Sequence, residues 1–151
     1  VDNEALRKIV GVRHASVVVA GHNKPAVQFV AVAVGAMLGA NLRFVVGLWA
    51  AENWPTDFPY GTLVVNVSGA FAIGLVLAFM AERSGVNQLW RLFFVTGFLG
   101  GYTTFSSYAW EALTLAEQGA WLRAGAYVVG SNMLGFIGVW LGASLARLAA
   151  V

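Results

Sequence analysis

The chain has 151 residues, 59% of them hydrophobic and 11% charged, with a mean hydropathy of +0.73. A soluble domain is about 45–50% apolar and about 25% charged, so this chain has too few charges to coat a soluble globule of its size. The net charge of +2 needs no nucleic-acid partner, since a few Arg at membrane-helix ends produce it; the lack of Cys excludes a disulfide scaffold, and the only His, His14 and His22, lie too near the N-terminus to serve metal or Ser–His chemistry inside a membrane.

Residues 1–26 read as a polar N-terminal extension. Val1 to Lys24 carries four of the nine basic residues and two acids, and its one apolar run, Ala15 to Ala20, is too short to span a bilayer. The order of these features fits a cleaved signal peptide poorly; the segment reads as a solvated tail or as the product of a start codon placed too far upstream. Residues 27–151 read as one transmembrane domain. A spanning helix takes about 20 apolar residues, and four apolar stretches follow one another with no room left for a soluble domain. The first runs from about Val27 to Ala51 with Arg43 as its only charge, and the second from about Gly61 to Ala81 with none. The third starts near Leu89 or Trp90 and ends near Ala116, enclosing Glu111; the fourth runs from about Trp121 to Ala149, with Arg123 and Arg147 near its ends. Glu52 to Pro59, Glu82 to Gln88 and Glu117 to Ala120 read as turns, and Pro25, Pro55 and Pro59 all lie outside the stretches. Trp49, Trp54, Trp90 and Trp121 mark segment ends, as an aromatic belt does. Four spans put both termini on one side, with Arg7, Lys8, Arg13, Lys24, Arg83, Arg91 and Arg147 against Arg123 on the other. The positive-inside rule makes the termini side cytoplasmic; without the tail the bias is three against one.

Small residues recur four apart: Gly35 and Gly39 on the first stretch, Ser131 and Gly135 and then Gly138 and Gly142 on the fourth. In lipid this spacing lets helix backbones approach closely, either within a subunit or between subunits. The third stretch reads Gly97-Phe98-Leu99-Gly100-Gly101-Tyr102-Thr103-Thr104-Phe105-Ser106-Ser107-Tyr108, with three Gly and four Ser or Thr near its midpoint. These residues weaken a helix or offer its backbone other partners. One reading is a break at mid-membrane depth, which must be buried in protein or line a wet path and whose carbonyls can hold a cation. The other is a kinked helix with hydroxyls bonded back to their own carbonyls. Asn66, with Thr62 one turn before it, is either interhelical glue or an anion donor through its amide N–H groups. Arg43 either snorkels to the interface or faces a water-filled vestibule.

Gly39-Ala40-Asn41-Leu42-Arg43, Gly61-Thr62-Leu63-Val64-Val65-Asn66, the run Gly97 to Ser106 and Glu111 together closely resemble the bacterial fluoride channel family (Fluc, also called CrcB). The resemblance covers about residues 27–148, and the third-stretch motif is long and specific. It implies an all-α membrane protein with four transmembrane helices per subunit, the third broken at mid-membrane, in a dimeric bundle. The implied assembly is an antiparallel homodimer of dual topology in the cell inner membrane, with two fluoride pores; a heterodimer with a paralogue would also supply the two orientations. By position, Asn66 matches the family's pore Asn and Phe105 the first of two pore-facing Phe; the second falls on Tyr108, a departure. Thr62, Glu111, Tyr127 and Ser131 match the family's polar track, and Arg43 its first-helix Arg near the pore mouth. A central structural sodium ion is implied on the backbone carbonyls of Gly100 and Thr103. The chemistry agrees: fluoride is small and strongly hydrated, and N–H groups, O–H groups and the positive edge of an aromatic ring can replace its water without a net charge that traps it.

The function so implied is passive, fluoride-selective export that relieves fluoride toxicity. The alternative is a proton-coupled fluoride or small-anion transporter, for which Glu111 would have to carry the proton. A small multidrug exporter matches only in size and needs an acid in the first helix, where this chain has Arg43. A non-transporting interaction protein would explain the Gly content but not the polar cluster of the third stretch. No nucleophile–base set and no nucleotide-binding motif lies in the core, which argues against an enzyme or an ATP-driven pump.

Overall fold

The computed structural model describes residues 24–55, 57–83 and 85–149. Most of the expected 1–26 extension, with His14 and His22, lies outside the described residues. Helix α1 spans Pro25–Asn53 and α2 Tyr60–Ala81; a short α3, Gln88–Arg91, runs into π-helical turns over Leu92–Leu99 and then α4, Gly100–Tyr102; α5 spans Phe105–Glu117 and α6 Trp121–Leu148. No strand occurs among the described residues.

Three of these helices, α1, α2 and α6, are long and apolar enough to cross a membrane. They coincide with the first, second and fourth apolar stretches to within two residues at each end. Pro25 opens α1, where its fixed φ suits the first turn and its missing N–H is not needed. The helix continues two residues past Ala51, its last turn closed by the Trp54 N–H on the Ala50 carbonyl at 3.0 Å. The third stretch is not one helix. Asn87 caps its start by accepting from the Leu89 N–H at 2.9 Å. After α4 the backbone turns extended at Thr103 (φ −80°, ψ 161°) and Thr104 (φ −150°, ψ 118°). The Thr104 hydroxyl then caps α5 by accepting from the Ser107 N–H at 3.2 Å.

Two side-by-side pairs carry the packing. In the first, α1 runs parallel to the π-helical segment and α4: Gly35 lies on Phe93 and Gly97, and Gly39 on Phe98 and Tyr102. In the second, α2 runs parallel to α6, with Gly74 on Val139 and Gly142 on Phe71 and Leu75. A Cβ at Gly39 would overlap the Phe98 carbonyl oxygen, and one at Gly142 that of Phe71, so both contacts are backbone against backbone. Water-driven burial is absent between helices in lipid, and contact of this closeness supplies the attraction in its place. Gly35/Gly39 and Gly138/Gly142 thus pack within the subunit. Gly135 does not: a Cβ there would meet open space.

Helix α5 leans on α6 through Leu115, Ala124 and Tyr127, with Phe58, Leu63 and Ala112 around them. Large apolar side chains elsewhere point outward, among them Phe29, Phe136 and Trp140, as lipid contact requires. Aromatic rings gather at both ends of the bundle. Trp49, Trp54, Tyr60 and Phe58 stack in series at one end, with centroids 4.8–5.6 Å apart; Trp90, Phe93 and Phe94 cluster at the other. At the Trp54 end Arg123 pairs with Asp57 at 2.9 Å, both half-exposed. Arg83, Arg91 and Arg147 lie at the other end, where α2 and α6 finish and α3 begins.

Candidate functional site

The extended residues Thr103 and Thr104 organise the polar side chains of the bundle. Asn66, projecting from α2, meets Thr104 twice: its Nδ2 donates to the Thr104 carbonyl at 3.0 Å, and its Oδ1 accepts from the Thr104 N–H at 2.8 Å. In an unbroken helix the Thr104 N–H would bond the Gly100 carbonyl four residues back. In the same way the Ser107 N–H, which would bond the Thr103 carbonyl, goes to the Thr104 hydroxyl. The interruption therefore draws both in-helix donors away from the carbonyls of Gly100 and Thr103. Arg43 reaches in from α1, and its Nη1 donates to the Thr103 carbonyl at 3.3 Å. It is turned toward the interruption rather than out to lipid headgroups.

Two grooves flank Thr104. One, about 370 Å³, is lined by Arg43, Thr62, Thr104 and Ser107 together with apolar residues of α1 and α2. The other, about 250 Å³, is lined by Asn66, Thr103, Thr104, Phe105, Tyr108, Ser131 and Asn132, with no carboxylate among them. Phe105 is 79% exposed and leans toward Tyr108, ring centroids 5.7 Å apart. Ser131 has a buried hydroxyl with no hydrogen-bond partner among the described residues. Asn66 has committed one of its two amide hydrogens to Thr104.

One turn away, Glu111 ties three helices together. The Thr62 hydroxyl donates to Oε1 at 2.7 Å, and the Tyr127 hydroxyl donates to Oε2 at 2.7 Å. Tyr127 is almost fully buried, its ring packed edge-on to Phe58 and against Tyr108. Thr62 and Asn66 on α2, Tyr108 and Glu111 on α5, and Tyr127 and Ser131 on α6 therefore repeat at one-turn spacing and form a polar line between the three helices, with the ring of Phe105 at its outer edge. Glu111→Ala would orphan both hydroxyls, at about 1–3 kcal/mol for each buried group. A fall in the thermal midpoint of the detergent-solubilised protein is expected, with Glu111→Gln intermediate because it keeps one acceptor oxygen.

The ten residues singled out from the sequence thus collect around the interruption and the Glu111 bridge. Thr104 and Asn132 were not singled out individually. Thr104 joins through its backbone, which no residue type announces. Asn132 is a strongly polar residue inside an apolar stretch, the same signal that marked Asn66.

The carbonyls of Gly100 and Thr103 suit a hard cation in donor chemistry: both are neutral oxygens, and both have lost their in-helix amide partners. Thr103 shares its carbonyl with the Arg43 guanidinium, leaving one lone pair.

The profile of the family described as CrcB-like protein, Camphor Resistance (CrcB), matches residues 30–143. A protein of Roseiflexus sp. (strain RS-1) named "Fluoride-specific ion channel FluC" is 52% identical over 121 residues, covering 80% of this chain and 98% of the relative. Proteins of the same name from Methylobacterium nodulans and Solibacter usitatus are 50% identical over 113 residues and 44% over 120, covering 75% and 80% of this chain and 89% and 98% of the relatives. With its matched residues spanning the apolar stretches, the interruption and the Glu111 bridge, the chain belongs to the CrcB family, a family of ion channels and not of enzymes.

Proposed function

We propose that this protein is a fluoride-selective channel through which fluoride leaves the cell passively, relieving its toxicity. The observation that carries the reading is the carboxylate-free groove at the interruption, with uncommitted hydrogens on Asn66 and Ser131 beside the exposed ring of Phe105. Neutral donors of this kind replace the hydration of a small anion without a fixed charge to hold it. Thr62, Glu111 and Tyr127 continue the path as a polar line, and Arg43 draws anions toward the groove it lines. Coupled transport through Glu111 has less support, because both of its oxygens are held by hydroxyls of other helices.

The third stretch, running from Gln88 to Glu117, supplies the third of four crossings in a single channel domain, its interruption at mid-membrane depth; that domain opens with α1 at Pro25, two residues before the 27–151 boundary read from the sequence. The working unit is an antiparallel homodimer in the inner membrane, or a pair with a paralogue. Two features support a second copy: the groove is open to the surface, and the exposed Phe105 that lines it projects off the subunit. The carbonyls of Gly100 and Thr103, with those of the second copy, would hold a structural sodium ion. Such an ion supplies fixed positive charge that lowers the energy of an anion nearby.

Liposomes loaded with fluoride, or with chloride in parallel, test the reading once the membrane potential is collapsed by a potassium ionophore. Rapid fluoride release without chloride release is expected, with no requirement for a proton gradient. Release only under a proton gradient would replace the channel by coupled transport.

A further inference from the structure

One position in the groove departs from the family's pattern: a tyrosine, Tyr108, stands where the resemblance implies a second phenylalanine. Its hydroxyl is not left to rotate freely. Asn132, on the neighbouring α6, donates from Nδ2 to the Val128 carbonyl at 2.7 Å and from the same Nδ2 to the Tyr108 oxygen at 2.9 Å. The carbonyl contact identifies which end of the Asn132 amide carries the hydrogens, because two acceptor oxygens would not face each other at that distance. An amide nitrogen has only two hydrogens, and both are now used. The Tyr108 oxygen is therefore an acceptor toward Asn132, and its own single hydrogen must point elsewhere. No other hydrogen-bond partner of Tyr108 occurs among the described residues. Its ring stands between Phe105 and Tyr127, and both Tyr108 and Asn132 line the groove that also holds Asn66 and the unpartnered Ser131 hydroxyl.

We infer that Asn132 is a positioning residue that makes the Tyr108 hydroxyl a hydrogen-bond donor to fluoride in this groove. The anion meets an O–H group where the family's pattern offers a ring edge, and Asn132 acts through Tyr108 without touching the ion. The inference rests on the channel reading above. A hydroxyl proton bonded to an anion is a charge-assisted contact, and it is strengthened when the same oxygen accepts a second bond, since the chain of bonds polarises.

A double-mutant cycle tests this in the same liposomes, reading the fluoride concentration that gives half-maximal flux. Tyr108→Phe is expected to raise that concentration about tenfold, the effect of losing one charge-assisted bond. Asn132→Leu, close in shape but without the donor, is expected to raise it when Tyr108 is present and to add less than about twofold when combined with Tyr108→Phe. Asn132→Ala provides a second version of the cycle should the Leu variant elute as aggregate. Equal shifts from the Asn132 change in both backgrounds, or no shift in either, would overturn the positioning role while the wild type still conducts fluoride. A wild type that passes no fluoride would overturn the channel reading, and this inference with it.

Discussion

Asn66→Asp is expected to lower fluoride flux by at least about a hundredfold. Asp keeps the oxygen that accepts from the Thr104 N–H, so half of the clamp survives. Its second oxygen takes the place of Nδ2, 3.0 Å from the Thr104 carbonyl, and presents negative charge to the groove. Two unit charges 4 Å apart at an effective dielectric constant of about 20 repel by about 4 kcal/mol, which exceeds the factor of a hundred even after substantial screening. Asn66→Leu separates the two roles of the side chain. It adds no charge but leaves the Thr104 N–H unpaired, at about 1–3 kcal/mol, while the Thr104 carbonyl keeps the first in-helix bond of α5. Its thermal midpoint in detergent is therefore expected to fall further than that of Asn66→Asp, while its flux is also lost. Liposome efflux and a detergent melting curve on both variants check the pair of expectations. Wild-type flux from Asn66→Asp would remove Asn66 from the ion path.

Gly39→Val is expected to abolish recovery of folded protein. A Cβ at Gly39 would overlap a carbonyl oxygen of the facing backbone, and no side-chain rotation relieves that. The two segments would have to separate over more than a turn, carrying Gly35 off Gly97 and Arg43 off the Thr103 carbonyl. Overpacking typically costs about 1–3 kcal/mol when side chains can yield, and more when, as here, only backbone can. Gly135→Ala is the control: its Cβ would enter open space, and alanine favours a helix over glycine by about 1 kcal/mol. Size-exclusion profiles and helical circular dichroism of the two variants distinguish them, with folded protein expected only from Gly135→Ala.

Residue type alone made three of the four apolar stretches legible, because an unbroken apolar run of spanning length has few other uses. α1 runs only two residues further at each end than the apolar stretch that marks it. The third stretch shows where reading residue types stops. Gly, Ser and Thr announced an interruption there, but Leu92–Leu99 looks the same in composition whether wound as an α- or a π-helix. Asn66 could be seen to need partners; that both would come from one backbone unit, Thr104, depends on tertiary placement. Residue type left Arg43 free to snorkel or to face inward, and the structure turns it inward, onto the Thr103 carbonyl that the interruption has freed. The identities along the polar line were readable through resemblance to a family. Their bonding was not, since Thr62, Glu111 and Tyr127 are distant in the chain and meet only once three helices have packed.

That distance constrains how the protein is made. Helices enter a membrane in the order of synthesis, so α2 arrives carrying Asn66 and Thr62 while their partners, 38 and 49 residues later, have yet to be delivered. Those two residues can wait, because an amide or a hydroxyl finds provisional partners on its own helix. Glu111 cannot wait so easily. Its second donor, Tyr127, follows after only 16 residues, across the short turn between α5 and α6, so these two helices can enter as a hairpin that is already internally bonded. The bridge that later helps align the conduction path thus first serves as a passport, letting a carboxylate into lipid only in the company of its tyrosine. A Tyr127→Phe chain should accordingly show its defect during biogenesis, as reduced insertion and faster degradation of new protein, before any defect in transport can be measured.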